Sequence, residues 1–279
     1  MGSFERSYLN NLRRIVEEGE FVQDRTGVGT YSLFEGVQVK HDLSFGFPLL
    51  TTKKVFFRSV IVELLWFLKG LTNTDYLKER KVSIWDEWAD SDGELGPIYG
   101  KQWRSFGGVD QVKYLIEGLQ RDPKSRRLLL SAWNPADLPL SRLPPCHVLF
   151  QVAVREGRLH GHLYQRSADY FLGKPFNIAS YALFLHLIAH QVKLPVGNLI
   201  FTDGDSHVYQ NHLEQIRTQL TRIPTELPRL EINGEIDLIS MKINGEDFDL
   251  NHFGNETAPA LINLLSYTPQ SFLAAPVAV

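Results

Sequence analysis

Cys146 is the only cysteine among 279 residues, and it lies in the stretch Leu-Pro-Pro-Cys-His. A thiolate is a strong nucleophile, but an isolated thiol has a pKa of about 8.5, so only a few per cent is ionised near neutral pH. A cation beside the sulfur raises that fraction, and we expect neighbouring guanidinium groups to make the sulfur anionic. Arg166 ends the next predicted strand, and a hairpin of the two strands would bring it close. Cys146 is therefore a candidate nucleophile, although a lone cysteine is often just a small buried apolar residue.

Glu63 lies inside an apolar run from Val60 to Leu68 that is expected to be helical. Every neighbour in this run is apolar, so the helix has no polar face for a carboxylate. Burial disfavours the charged form of a carboxyl group and raises its pKa, which suits proton transfer near neutral pH. The alternative is a structural glutamate paired with Arg58.

Four arginines are candidate anion ligands. Arg25 lies in a turn-rich Asp-Arg-Thr-Gly loop, Arg126 and Arg127 follow a serine, and Arg166 precedes Ser167. Guanidinium groups bind phosphate in a bidentate fashion, and a serine hydroxyl adds a donor. Adjacent residues on a strand point to opposite faces, so Arg126 and Arg127 can share one phosphate only where the chain is irregular, unless each meets a different partner. An ordinary solvated pair is the alternative.

Asn177 is expected to open a long helix, where asparagine is often an N-cap. Its amide offers both a donor and an acceptor, so it also suits a ring that carries neighbouring polar atoms. Residues 205–212 bring several polar and aromatic side chains into a short span, which could also bind a ligand. A helix start with local hydrogen bonds explains the same residues equally well.

Two tempting patterns are weak. His186 and His190 are four residues apart on a predicted helix, but Leu187 stands where a zinc-protease motif has glutamate, and the sequence offers no evident third ligand. The pair Gly27 and Gly29 lacks the third glycine and the preceding strand of a dinucleotide fingerprint. We therefore expect neither a metal nor a dinucleotide site.

The composition limits the class of protein. Hydrophobic residues make up 43% and charged residues 22%, which is typical of a globular protein with a sizeable core. With a net charge of -3 the chain is too acidic for broad nucleic-acid binding. A single cysteine cannot form an intramolecular disulfide, and the sequence has neither a signal-peptide pattern nor an apolar run long enough for a bilayer. These features indicate a cytoplasmic protein.

The periodicity of apolar residues predicts interspersed helices and strands without a steady βαβ alternation, and hence an α+β (mixed α/β) fold in one domain, residues 1–279. The expected helices span about 4–19, 58–69, 110–120, 177–192 and 207–220, and the expected strands span 31–39, 127–133, 146–154, 158–166 and 199–202.

Taken in order, the conspicuous segments of this sequence resemble thymidylate synthase. They cover nearly the whole chain to about residue 230. The matching stretches are DRTGVGT (24–30), GFPLLTTKK (46–54), ELLWFLKG (63–70), IWDEWAD (84–90), LGPIYGKQWR (95–104), SRRLLLSAWNPADL (125–138), LPPCH (143–147), LYQRSADYFLGKPFNIASYALF (163–184) and GDSHVYQNHLEQI (204–216).

The resemblance implies a covalent reaction. Cys146 would attack C6 of the uracil ring of dUMP, and C5 would then take the one-carbon unit of 5,10-methylenetetrahydrofolate, which also returns a hydride to give dTMP and dihydrofolate. Glu63 would manage proton transfers, and Tyr99 would lie near the C5 proton. The other catalytic positions that the resemblance implies are Arg166, Asp169 and Asn177.

The resemblance also assigns ligands. For dUMP it implies Arg25, Arg126, Arg127, His147, Arg166, Ser167, Asp169, Asn177, His207 and Tyr209. For the folate it implies Ser59, Ile84, Trp85, Trp88, Asp169, Leu172, Gly173, Phe176 and the C-terminal Val277, Ala278 and Val279, which would fold over the bound ligands. It implies no metal.

A homodimer follows from the same resemblance, with a large twisted sheet as its interface, helices flanking the sheet, and Arg126 and Arg127 reaching the partner's phosphate. The sequence departs from the family pattern at Phe56, at Leu71 and most of all between Asp249 and Ala275, here called the late segment. These departures affect the expected folate contacts and tail closure, and leave the nucleotide site intact.

Three other functions stay open. One is a dUMP hydroxymethylase of the same superfamily, in which water captures the exocyclic methylene. A dCMP substrate is disfavoured by Asn177, because relatives acting on cytosine tend to carry aspartate there. A cysteine hydrolase would use Cys146 and His207. A non-catalytic relative would bind nucleotides or RNA, although the intact Cys146, Glu63 and arginine set disfavours it.

Overall fold

The computed structural model describes residues 3–277, which fold into seven α helices, four short 3-10 helices and twelve strands. The helices are α1 Ser3–Glu18, α2 Phe57–Leu68, α3 Asp75–Glu79, α4 Tyr99–Ser105, α5 Gln111–Arg121, α6 Gly173–Gln191 and α7 Leu213–Leu220. The strands are β1 Glu20–Val22, β2 Thr30–Asp42, β3 Leu129–Ser131, β4 His147–Arg155, β5 Arg158–Asp169, β6 Val196–Tyr209, β7 Arg229–Ile232, β8 Ile236–Asp237, β9 Lys242–Ile243, β10 Glu246–Asp247, β11 Phe253–Asn255 and β12 Ile262–Leu265.

A six-stranded mixed sheet forms the centre of the fold, with the strand order β1-β2-β6-β5-β4-β3. Only β5 and β6 run parallel, and α6 makes the crossover between them. Helices α1, α2 and α6 contribute many of the fully buried side chains that form the hydrophobic core. This arrangement confirms the predicted α+β class.

Strands β4 and β5 form the predicted hairpin. Its two-residue turn, Glu156 and Gly157, has positive φ at both positions, as a tight turn that matches the strand twist requires. The hairpin pairs His147 with Gln165, and the Arg166 amide donates to the Cys146 carbonyl at 3.0 Å. The start of β4 and the end of β5 are thus joined at one edge of the site.

The late segment forms ordered structure against the core. Strand β12 pairs parallel with β11 and antiparallel with β7. Farther along, the Tyr267 hydroxyl donates to the Leu50 carbonyl at 3.0 Å and accepts from the Val55 amide at 2.9 Å. Arg80 makes an ion pair of 2.7 Å with Asp249. These contacts attach the late segment to the chain on both sides of α2.

Two predicted helix starts were wrong. The segment from His207 was expected to be helical, but β6 continues to Tyr209 and α7 begins at Leu213. Asn177 was expected to open a helix, but α6 begins at Gly173, and Pro175 lies in its first turn, where the missing amide hydrogen costs nothing. Asn177 is therefore no N-cap. No helix within residues 3–277 combines the length and the apolar character needed to cross a membrane.

Candidate active site

Cys146 directly precedes β4 and is partly buried. The Arg166 guanidinium approaches it, with Nη2 3.7 Å from Sγ, and is held by the carbonyls of Pro144 and Pro145 at 2.8 and 2.9 Å. Burial raises the pKa of the Cys146 thiol, and the charges of Arg166 and Arg25 lower it without cancelling the effect of burial. The expected cation is thus present, but the net shift favours the neutral thiol, against the expectation that guanidinium groups would make the sulfur anionic.

Tyr99 opens α4 beneath the cysteine. Its hydroxyl accepts hydrogen bonds from the Cys146 amide at 2.7 Å and the His147 amide at 3.3 Å. The rings of Tyr99 and His147 lie 4.7 Å apart. Burial, and second the charge of Lys174, lower the pKa of His147 to about 3. His147 is therefore neutral, and Tyr99 fixes the backbone that carries the thiol.

Glu63 is buried on α2, as its sequence context predicts. The indole Nε1 of Trp85 donates to its Oε1 at 2.8 Å. Burial raises the pKa of Glu63 to about 7, although the Trp85 hydrogen bond acts in the opposite direction. The suggested pairing with Arg58 was wrong, because Arg58 donates instead to the Arg80 carbonyl. The carboxyl group is thus poised to gain or lose a proton near neutral pH.

Asn177 lies one turn into α6, and its Oδ1 accepts from Gln165 Nε2 at 2.9 Å. Gln165 Oε1 in turn accepts from the Lys174 ammonium at 2.8 Å, and Lys174 also contacts Asp203 Oδ1 at 2.5 Å. Lys174 and Asp203 are completely buried. Burial lowers the pKa of Lys174 and raises that of Asp203, and each charge opposes the shift of the other.

His207 lies near the end of β6, where its Nδ1 contacts Asp205 Oδ1 at 2.6 Å. Ser32 Oγ donates to the other oxygen of Asp205 at 2.7 Å. Burial lowers the pKa of His207, but the bond to Asp205 and the charge of Asp169 outweigh it, so the net pKa is raised. The His207 and Tyr209 rings lie 5.4 Å apart. Asp169 pairs with His207 in the β5–β6 ladder.

The predicted phosphate ligands fall into two groups. Arg166 and Ser167 lie in β5, and the charge of Arg25 acts on both Cys146 and Tyr209. The side chains of Arg126 and Arg127 are exposed before β3, and among residues 3–277 neither guanidinium makes a hydrogen bond. The chain there is irregular, as their sharing of one ligand would require. Neither of their charges is among those that act on the Cys146 thiol.

Aromatic and apolar side chains border Glu63 and Asp169. Trp85 and Trp88 rings lie 5.9 Å apart, and Trp88 Nε1 is buried without a hydrogen-bond partner in the described chain. Asp169 Oδ1 accepts from the Leu172 amide at 3.1 Å, and Gly173 leaves space beside Asp169 and Asn177 that a Cβ would fill. The remaining residues predicted for this side, Ser59, Ile84, Leu172 and Phe176, are half-buried.

The C-terminal residues approach α7. His212 Nε2 lies 2.7 Å from the Pro276 carbonyl, and Gln215 donates to the Ala274 carbonyl at 3.1 Å. Val277 is exposed, whereas the predicted ligands Ala278 and Val279 lie outside the described residues. Residues 274–276 are thus anchored on the segment that directly follows His207 and Tyr209.

Other candidate sites lack the geometry for chemistry. No group of three or more potential metal ligands occurs within residues 3–277. A cavity of about 530 Å³ lies between α2 and the late segment, where it is lined by residues such as Phe57, Arg58, Leu250 and Tyr267. None of the predicted nucleotide ligands lines it.

Sequence reasoning missed the buried groups behind Asn177. Gln165, Lys174 and Asp203 have no part in the predicted site, although a signal for one of them was present. Leu199, Phe201 and Asp203 alternate along β6 on its buried side. A carboxylate in this apolar series requires a buried cation, and Lys174 supplies it.

Comparison with known families agrees with this geometry. A family model described as thymidylate synthase matches residues 6–278, which is nearly the whole chain. The match includes the late segment, where the sequence departs most from the expected pattern. This chain therefore belongs to the thymidylate synthase family.

Proposed function

We propose that the protein converts dUMP to dTMP by reductive methylation, with 5,10-methylenetetrahydrofolate as co-substrate. The observation that carries the proposal is that Cys146, Arg166 and the anchored amide of Asn177 meet where β4 begins and β5 ends. A nucleophile, a cation and a reader of a polar ring edge are the groups that covalent activation of a pyrimidine nucleotide needs.

In this proposal Cys146 is the nucleophile. Its sulfur bonds to C6 of the uracil ring, and the electrons of the C5–C6 bond move toward the carbonyl at C4. C5 then forms a bond to the one-carbon unit and loses its proton, while the bond between that unit and the folate nitrogen breaks and leaves an exocyclic methylene. A hydride from the released tetrahydrofolate adds to this methylene, and the S–C6 bond breaks to give dTMP, dihydrofolate and the free thiolate. The co-substrate supplies both the one-carbon unit and a hydride. We assign the removal of the C5 proton to Tyr99, whose hydroxyl accepts from the Cys146 amide beside the nucleophile.

Glu63 serves the proton transfers. With a pKa of about 7, its carboxyl group is present in both protonation states at neutral pH, which suits a general acid and base. The Trp85 hydrogen bond orients it. The presence of this tryptophan also favours hydride transfer to the methylene. A hydroxymethylase would instead need water to capture it.

The nucleotide is held along β5 and β6. We assign Arg25, Arg166 and Ser167 to the phosphate, His207 and Tyr209 to the deoxyribose hydroxyl, and Asn177 to the uracil edge. His147 and Asp169 complete this site. The neutral His147 ring next to Tyr99 adds no charge to the ring-binding region, which suits an uncharged pyrimidine.

The folate is assigned to the half-buried surface beside Glu63. The residues fit a large aromatic ligand with polar edges, because the indoles offer stacking surface and both Trp88 Nε1 and the Asp169 carboxylate offer polar contacts. The assigned set is Ser59, Ile84, Trp85, Trp88, Asp169, Leu172, Gly173, Phe176, Val277 and Ala278, with the tail excluding water.

A homodimer completes the site in this proposal. The outer face of the large sheet carries exposed side chains that a single subunit leaves uncovered, including Phe34 at 81% exposure and Tyr164 at 40%. One open sheet face with large apolar groups is a typical self-association surface. We assign this face to the dimer interface, and Arg126 and Arg127 to the phosphate of the partner subunit. We place the enzyme in the cytoplasm.

The mass of the nucleotide product tests the reaction. With dUMP and 5,10-methylenetetrahydrofolate, we expect a methyl gain and absorbance growth from dihydrofolate, whereas a hydroxymethyl gain would identify the hydroxymethylase instead. Cys146→Ser should abolish turnover and retain dUMP binding. Release of product from thioesters without nucleotide would indicate a hydrolase. A hydrolase needs a base to activate the thiol, but among residues 3–277 no histidine is hydrogen-bonded to Cys146.

A further inference from the structure

In the buried series of hydrogen bonds behind Asn177, each donor and each acceptor can be assigned. Lys174 is donor-only when charged, so the atom of Gln165 that faces it at 2.8 Å is the acceptor Oε1. The other end of the same amide, Nε2, must then donate to Asn177, and it meets Oδ1 at 2.9 Å. The ammonium group thus orients the Gln165 amide, and Gln165 in turn orients Asn177, whose side chain also lies within reach of the His147 ring.

The ammonium itself is held by electron-rich partners. Nζ contacts Asp203 Oδ1 at 2.5 Å and lies 4.4 Å from the centre of the Phe201 ring. Both residues lie on the inward side of β6, whereas Lys174 lies in the first turn of α6. The charge of Asp203 offsets part of the cost of burying the ammonium.

We infer that Lys174 and Asp203 are positioning residues that set pyrimidine selectivity, because they fix which end of the Asn177 amide faces the ring. The inference rests on the proposed function, in which Asn177 reads that ring. Uracil presents a donor at N3 and an acceptor at O4, so it needs Oδ1 and Nδ2 of Asn177 in that order. Cytosine presents an acceptor at N3 and a donor at N4, so it needs the flipped amide. In the flipped state Asn177 Nδ2 would face Gln165 Nε2, and two donors would meet.

Gln165→Glu is the sharpest test. The carboxylate that this substitution introduces keeps an acceptor toward Lys174, but its second oxygen accepts and cannot donate. It therefore draws Asn177 Nδ2 toward it and turns Oδ1 toward cytosine N4. Calorimetry without folate measures the Kd for dUMP and for dCMP. Because a mismatched buried hydrogen bond is costly, we expect the preference for dUMP to fall by about tenfold or more. An unchanged ratio in the folded variant would overturn the inference.

The double variant Lys174→Met/Asp203→Asn tests the charge pair itself. It removes both charges with little change in volume, so no unpaired ion is left in the core. We expect both amide orientations to become accessible, with a loss of the dUMP preference and little change in binding of inorganic phosphate. A purely structural role would lower the melting temperature without moving the ratio. If the unaltered protein does not prefer dUMP, the proposed function fails; if it does and the variants keep that preference, this inference alone fails.

Discussion

Arg166 Nη2 lies 3.7 Å from Cys146 Sγ, and the same guanidinium is fixed by the carbonyls of Pro144 and Pro145. Three contacts on one planar group leave it little freedom, so the charge stays beside the sulfur. The geometry links the reactivity of the thiol to a residue that the proposal also assigns to the phosphate.

Replacing this arginine is expected to slow alkylation of the thiol. Burial raises the pKa of Cys146, and Arg166 is the charge that lowers it most. Arg166→Gln removes that charge, so the pKa of the thiol should rise further. The rate of iodoacetamide modification at neutral pH should fall about tenfold, because that rate follows the thiolate fraction. The exposed Arg121 provides the control, and Arg121→Gln should react as the unaltered protein does. Equal rates in both variants would contradict the role of Arg166.

Glu63 should make the protein less stable as the pH rises. Its pKa is about 7 in the native state against an ordinary value of 4.5, so between these values the native state binds more protons than the unfolded state. The free energy of unfolding then falls with rising pH, by about 2 to 3 kcal/mol between about pH 5 and about pH 8. Glu63→Gln should lack this loss. Urea denaturation at both pH values measures it, with the exposed Glu226→Gln as control.

His207 should titrate at lower pH without its carboxylate partner. The bond to Asp205 is the largest contribution that raises the His207 pKa against burial. In Asp205→Asn we expect the midpoint of the His207 imidazole resonance to fall by about one pH unit, because the favourable charge is gone. Asp122→Asn, at an exposed position, is the matched control, and His207→Gln identifies the resonance. A midpoint that does not move would exclude the pair as the cause.

The shared site makes a prediction for mixed dimers. Cys146→Ser and the double variant Arg126→Ala/Arg127→Ala should both be inactive. When they are co-expressed and the mixed dimer forms at random, one site combines an intact cysteine with intact arginines, so activity should return to about a quarter of the unaltered level. If the arginines act within their own subunit, the mixture stays inactive. Variants co-expressed at equal levels and assayed together provide the measurement.

The outer sheet face should control subunit association. Phe34 and Tyr164 project from β2 and β5 on the side that the helices do not cover. Phe34→Asp would place a charge in the proposed interface, and we expect dissociation to monomers in sedimentation velocity with the helical content retained. The exposed Phe45 lies outside the sheet strands, so Phe45→Asp should leave the subunits associated.

Local patterns predicted the helices better than the central strand. The apolar run around Glu63 and the periodic residues of α1 and α5 are decided by neighbours along the chain. Strand β6 was expected to end near Thr202, and the residues that follow, Asp203, Gly204 and Asp205, are poor strand formers. In the structure β6 continues through them, since it is hydrogen-bonded on both sides by β2 and β5. Partners distant in sequence outweigh local preference here.

Residue type and resemblance predicted which residues form the site, but not the hydrogen bonds that connect them to the buried residues behind. Cys146 and Arg166 were expected to meet through a hairpin, and they do. The contacts that run from Asp203 through Lys174 and Gln165 to Asn177 join β6, α6 and β5. No spacing within one segment of sequence reveals a contact among three elements. The direction of the Cys146 pKa shift was likewise wrong, because sequence shows the cations but not the extent of burial.

The alternation of side chains along β6 limits which insertions this strand can accept. Asp203, Asp205 and His207 all occupy odd-numbered positions of a strand whose alternate residues point to opposite faces. Inserting a single amino acid ahead of Asp203 would invert all three at once, and would remove the counter-ion of Lys174 together with the imidazole. The length of the strand ahead of Asp203 is therefore constrained, because one added residue reverses the faces of three residues that have different contacts.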